Sequence, residues 1–278
     1  MKTARDLTKR TKPRLHKRRV CLKAFAAFAF EDFPLVRCGD NIAEMIVEAA
    51  KKSNLEIEDG DIIVIAQKIL SKAEKRIVKL KDVVPSEKAG EIAKITGKNP
   101  KFVELILGET KNIVKATPEV FLVEDKRGLL CINAGIDKSN VDGRDNFVLL
   151  PEDPDESAKR CRMDIKKLTG KNVAVIVCDT YSRPFRRGQV NFAIGVAGIK
   201  PLKDYRGKKD LFGNTLKVKN VAVIDEIAAA AELLMGQAKE ARPVVIFKGL
   251  KGMVEFCEKS SINELFISRD EDLFKNTL

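Results

Sequence analysis

The run NVAVIVCDTYSRPFRRGQVNFAIGVAG (172–198) holds a strand, an abrupt polar turn and a second strand. Val173, Val175 and Val177 alternate with Ala174 and Ile176, so both faces of the first strand are apolar and it belongs inside a sheet. It stops at Asp179-Thr180, and Arg183, Arg186 and Arg187 follow at once. An acid and a hydroxyl at a strand's carboxyl end can share a divalent ion, and guanidinium groups can neutralise phosphoryl oxygens. The competing reading is a turn former followed by a solvated basic loop. Further along, VNFAIGVAG (190–198) returns as a strand, and its GVAG run lacks the GxGxxG fingerprint of a dinucleotide site.

Outward from this stretch, strands and helices alternate. LKAFAAFAF (22–30), DIIVIAQ (61–67), VAVID (221–225) and PVVIFKG (243–249) read as strands. NIVKA (112–116), EVFLVE (119–124) and GLLCIN (128–133) form a meander. Asp40 is placed to cap a helix over 42–51, and Ser86 one that stops near Gly97. Asn99-Pro100 opens a helix to about Leu107, and Asp153-Pro154-Asp155 one to Leu168, closed by Gly170. EIAAAAELLMG (226–236) is a helix by propensity. The meander favours a mixed sheet with flanking helices, α/β or α+β, over a regular doubly wound one.

Composition narrows the chemistry. The chain has 278 residues, 44% hydrophobic and 33% charged, enough to bury a core. Its single histidine, His16, lies in a basic tail, which removes histidine triads, dyads and His-rich zinc sites from consideration. Any metal is then held mainly by oxygen, which favours Mg²⁺, Mn²⁺ or Ca²⁺. Six cysteines without a CxxC pair read as reduced thiols of a cytoplasmic protein. The apolar run at 24–30 is too short for a membrane span, and the basic start lacks the apolar region of a secretory signal. Of the net charge of +12, residues 1–20 carry nine Lys/Arg against one Asp. A nearly neutral body, no Trp and two Tyr disfavour nucleic acid as the main partner. No Walker loop is present.

Three further segments carry polar chemistry. AQKILSKAEKRIV (66–78) sets Lys68, Ser71, Lys72 and Lys75 just past a buried strand, where lysines suit phosphate oxygens; a solvated basic helix start is the alternative. NAGIDKSNVDG (133–143) presents Asp137 and Asn140 in a loop, as an oxygen ligand or as an Asx turn. LLMGQAKEARPVVI (233–246) ends a helix at Gly236 and could fold over a nucleotide, although a glycine cap alone explains the glycine.

Together with FPLVRCGD (33–40), SKAEKRIV (71–78), NAGIDKSNV (133–141), residues 178–213 and VIDEIAAAAELLMGQ (223–237), these segments resemble the coenzyme F420 gamma-glutamyl ligase family over roughly residues 22–250. The resemblance implies GTP-dependent joining of L-glutamate, through its amine, to the lactate-bearing end of F420-0, with release of GDP and phosphate. A second, gamma-linked glutamate follows. It implies two divalent ions, Mn²⁺ or Mg²⁺, with K⁺ as a monovalent helper. It also implies an intertwined homodimer, with residues 1–20 as a basic arm and 21–278 as the ligase region in two discontinuous subdomains. By position, Asp137 and Asp179 fall on the first divalent ion, and Thr180 and Gln237 on the second. Some members carry glutamate at the Gln237 position; Gln offers only a neutral carbonyl. GTP contacts fall on Phe33, Pro34, Leu35, Val36, Gln67, Lys68, Lys72 and Asn140. They continue over Met235, Gly236, Gln237, Ala238, Lys239, Glu240, Ala241 and Arg242. Arg183, Arg186 and Arg187 are candidates for phosphoryl stabilisation, Asp225 and Glu226 for the base that takes the amine proton, and Tyr205 and Arg206 for F420-0. A related amide-forming ligase with another acyl substrate is the alternative.

Overall fold

The computed structural model describes residues 22–143, 145–268 and 270–272; the basic arm and His16 lie outside them. The chain begins with β1 (Ala26–Ala29), α1 (Ile42–Lys52), β2 (Ile62–Ala66), α2 (Gln67–Ala73) and β3 (Ile77–Lys79). Two helices and a meander follow: α3 (Glu87–Thr96), α4 (Pro100–Glu109), β4 (Thr110–Ala116), β5 (Phe121–Asp125) and β6 (Leu130–Ile132). Then come β7 (Asn146–Val148), α5 (Pro154–Thr169), β8 (Ala174–Ser182) and β9 (Gln189–Ala197). The last elements are β10 (Leu202–Asp204), β11 (Asn220–Ala222), α6 (Val223–Met235) and β12 (Val244–Lys248).

The main sheet is mixed, in the order β1-β12-β2-β8-β9. Only β2 and β8 pair in parallel; the remaining neighbours are antiparallel. The period-two geometry of a strand explains why β2 is apolar throughout. Ile63 and Ile65 join the core formed with Ile46 and Val47 of α1 and Ala158 and Ile165 of α5. Ile62 and Val64 join Ile224, Ile227 and Ala231 of α6. Helices therefore cover both faces of the sheet. The three-stranded sheet β4-β5-β6 packs Phe121 and Val123 into the first of these cores together with Ile92 and Ile106 of α3 and α4.

Several local expectations shift. The first strand is only Ala26–Ala29. The α1 cap is Asn41, whose side chain accepts from the Ala43 and Glu44 amides, because the Asp40 carboxylate is engaged by the Arg37 amide at 2.6 Å. Ser86 and Gly97 bound α3 as read, with Gly97 left-handed at φ 66°. VAVID is not one strand: pairing ends at Ala222 and α6 starts at Val223, since Val223 and Ile224 pack under the sheet. The GVAG run has a packing explanation. A Cβ at Gly195 would sit 2.5 Å from the Pro154 backbone, so the bare backbone lets α5 approach β9. There Asp155 accepts from the Val196 amide at 2.7 Å.

Candidate functional site

The parallel pair sets the location. β2 makes its last pairing at Ala66 opposite Cys178, and the chain turns into α2. β12 enters at the same level, with the Pro243 carbonyl accepting from the Ala66 amide at 2.9 Å. β8 does not stop at Asp179 as the apolar run suggests; it continues to Ser182 against β9 alone. Asp179 is thus the first β8 residue beyond β2, at the kind of crevice where strand carboxyl ends meet ligands in open sheets.

A cavity of ≈ 510 Å³ fills this crevice. Phe33, Pro34, Leu35 and Val36 line it from the segment after β1, and Gln67, Lys68 and Lys72 from α2. Asn140 lines it from the loop after β6; Met235, Gly236, Gln237, Ala238, Lys239, Glu240, Ala241 and Arg242 close it beyond α6. Asp179 and Thr180 complete the wall. The residues assigned to GTP by resemblance, distant in sequence, thus line one cavity. Asp137 lies beside it, in a second cavity of ≈ 600 Å³ that shares Asp179, Thr180 and Gln237 with the first and also takes Arg183. Arg186 and Arg187 line neither, lying in the exposed β8–β9 turn. Asp225 and Glu226 also line neither: they occupy the first turn of α6, where Asp225 accepts from the Ala193 amide at 3.0 Å. Tyr205 and Arg206 follow β10, with Arg206 paired to Asp204 at 2.7 Å.

The closing loop is tied down. Phe33 donates its amide to the Ala241 carbonyl at 3.1 Å, and Asn140 Nδ2 donates to the Ala238 carbonyl at 3.0 Å. Gly236 has φ 69° and ψ 176°, a region almost confined to glycine, and a Cβ there would meet the Glu240 side chain at 2.5 Å. Asn191 and Glu232 also line the cavity and were not anticipated. The visible signal for Asn191 was a single amide in an otherwise apolar strand. Its Nδ2 donates toward Cys178 Sγ at 3.4 Å and Met235 Sδ at 3.7 Å.

Asp137 forms the Asx turn of the second sequence reading. Its Oδ1 makes an Asx turn with the Lys138 and Ser139 amides at 2.6 and 2.8 Å. Its Oδ2 accepts from Lys68 Nζ at 2.7 Å and Ser139 Oγ at 2.7 Å. The turn that delivers it is left-handed at Asn133, Ala134 and Gly135 in succession (φ 52°, 55° and 68°), unusual for the two non-glycine residues. Burial pushes the Asp179 carboxyl up to about 7, Asp137 adds to the rise, and the Thr180 amide, Lys68 and Gln67 oppose it. The Lys72 ammonium is held below its ordinary range by burial and then by Lys68, with Asp142 opposing. A bound anion would relieve Lys72, and a bound cation Asp179.

Among the described residues no cluster of three His, Cys, Asp or Glu is gathered to hold a metal by itself. The groups at the junction, Asp137, Asp179, Thr180 and Gln237, all offer hard oxygen atoms, and Asp137 disfavours the charge of Asp179. They suit a hard cation whose remaining positions are completed by ligand oxygens or water.

Fold and cavity define a mixed α/β protein with a charged crevice at the end of its parallel strand pair. The profile of the F420-0:gamma-glutamyl ligase family matches residues 32–249, and the chain belongs to that family. It is 48% identical over 220 residues to coenzyme F420:L-glutamate ligase of Methanothermobacter thermautotrophicus, covering 79% of this chain and 86% of the relative. It is 44% identical over 247 residues to the protein of that name from Methanocaldococcus jannaschii, covering 88% and 95% respectively. The Archaeoglobus fulgidus counterpart is 44% identical over 251 residues, covering 90% and 96%.

Proposed function

We propose that the protein joins L-glutamate to F420-0 with hydrolysis of GTP to GDP and phosphate, and then adds a second, gamma-linked glutamate. What carries the reading is the convergence of the 33–36, 67–72, 140 and 235–242 segments on one cavity, with Asp179 and Thr180 at its floor. Family membership and the names of the relatives support the two substrates.

A carboxylate is a poor partner for an amine, because oxide is its leaving group. A carboxylate oxygen of F420-0 attacking the γ-phosphorus displaces GDP and leaves an acyl phosphate. The glutamate amine then attacks the acyl carbon, phosphate leaves, and the amine proton passes to a base or solvent. The first step needs alignment and neutralised phosphate oxygens more than proton transfer. Lys72 and Lys68 bind and orient the phosphates, and the tied 236–242 loop keeps water from the reacting phosphorus. Asp137, Asp179, Thr180 and Gln237 would hold Mn²⁺ or Mg²⁺, which supplies Lewis-acid charge to the phosphoryl oxygens. Asp225, already bound to the Ala193 amide, is poorly placed as the base for the amine.

A homodimer belongs to the same proposal. Leu211, Phe212 and Val218 are almost fully exposed between β10 and β11, an apolar excursion that a second copy would cover. Incubation of F420-0 with protein, GTP, Mn²⁺ and L-glutamate, read by mass spectrometry, tests the activity. Products heavier by one and then two glutamyl residues are expected, and unmodified F420-0 under all nucleotide and metal conditions overturns the reading.

A further inference from the structure

We infer that the second cavity seats the acyl substrate, an acid with an apolar body, and that Arg183 anchors an anionic group of that molecule away from the reacting carboxylate. The inference rests on the ligase reading and deepens it, since that reading leaves the acyl site unassigned.

Three observations carry it. The two cavities share only Asp179, Thr180 and Gln237 among the described residues. A phosphoryl group arriving from the nucleotide side and an attacking carboxylate arriving from the opposite side would meet there, and in-line displacement needs attacking and leaving oxygens on opposite sides of phosphorus.

The walls then select the ligand. Leu122, Leu129, Leu130, Ile132 and Phe192 make much of the surface apolar, while Asp137 and Ser139 stand at the junction end. Phe192 is fixed edge-on against Tyr181, with ring centroids 4.8 Å apart, and Tyr181 is held through its hydroxyl by the Leu130 carbonyl. A volume of ≈ 600 Å³ is in the range of sites for molecules much larger than glutamate.

The charge pattern supplies the anchor. Arg183 is the only cationic residue among the described lining residues. Its Nε is one of two buried side-chain atoms without a hydrogen-bond partner among the described residues; the other is Asn133 Oδ1, between the lining residues Ile132 and Gly135. A buried guanidinium nitrogen without a partner is costly to leave unmade. Arg183 follows Asp179 by four residues along an extended chain, roughly 13 Å at ordinary strand rise. Arg183 stands just past the end of β8, a position that suits the far part of an elongated ligand.

The experiment uses the full-length protein and F420-0 itself. Arg183→Met and Arg183→Lys are compared with wild type for F420-0 binding without GTP, for KM of F420-0, and for GTP binding, with thermal melting as the folding control. Arg183→Met is expected to weaken F420-0 binding and raise its KM about tenfold to a hundredfold, with GTP affinity unchanged and partial recovery in Arg183→Lys. Wild-type F420-0 binding in a folded Arg183→Met protein overturns the inference. So does loss of GTP and F420-0 binding to equal extents, or a fall in kcat with KM unchanged. Absence of any glutamylated product from wild type is the separate failure of the ligase reading. In that event F420-0 binding lost only in the Met variant still supports the site, and equal or no binding overturns it.

Discussion

Two clusters of charge in the molecule are built to opposite rules. In the first, Arg127 pairs with Asp125 at 2.7 Å and Glu109 at 2.9 Å, and Arg76 pairs with the same Glu109 at 2.8 Å. The spare donors are also engaged: Arg76 Nε donates to the Leu150 carbonyl at 2.9 Å, and Asp125 Oδ1 accepts from the Arg127 and Leu129 amides. In the second, Lys68 pairs with Asp137 but Lys72 faces Lys68, and Asp179 is half-buried with only Thr180, Gln67 and Lys68 to favour its charge. The closed cluster holds α4, β5 and the turn between α2 and β3 together. The open one carries charge that the fold alone does not satisfy, which is what a ligand site requires.

The comparison can be broken by removing one member of each cluster. Arg127→Met leaves Asp125 and Glu109 short of a buried partner and is expected to destabilise the protein by about 3–5 kcal/mol. Urea unfolding checks this, and a change below about 1 kcal/mol would return the closed cluster to ordinary surface pairing. Asp179→Asn is the opposite case. Turnover is expected to fall roughly a hundredfold, about 3 kcal/mol, with a raised Mn²⁺ requirement, while the metal-free protein melts higher. Wild-type rates across a Mn²⁺ titration would remove Asp179 from the site.

That stability gain carries a pH signature. An acid raised in the folded state is protonated in both states below about pH 4 and ionises first in the unfolded chain above it. Burial holds folded Asp179 at about 7. The melting advantage of Asp179→Asn over metal-free wild type is therefore expected to be absent near pH 4, to grow as pH rises and to level off above about 7. A flat difference would mean that Asp179 is not desolvated. Smaller in effect, Lys72→Met is expected to raise the GTP dissociation constant about tenfold and to leave the melting temperature near that of wild type. Calorimetric titration reads the first, and an unchanged constant would make Lys72 part of an ordinary helix face.

Much of this was legible because it rests on local rules. β2, β8 up to Cys178 and β12 up to Phe247 are unbroken apolar runs, as strands buried on two faces are. Ser86 and Gly97 announced α3. The Asp40–Asn41 pair shows where local rules fail: either can cap, and the choice depends on the Arg37 amide, which the sequence does not reveal. The first cavity was reachable only as a set of segments whose convergence depends on β2 and β8 lying side by side. The second was legible only in its polar residues, Asp137, Asp179, Thr180, Arg183 and Gln237. Its Leu122, Leu130 and Phe192 have the composition of a core, and nothing local distinguishes an apolar residue facing a void from one facing a neighbour. Nor does Ala134 signal a left-handed turn, since alanine has no preference for one.

The Lys68–Asp137 pair places a positive charge where an inorganic cation would otherwise be the first to neutralise the loop. Small metal-dependent domains stay unfolded until the ion arrives; a chain that carries its own organic counterion is free of that dependence. The loop that carries Asp137 thus has its countercharge from the moment the chain folds.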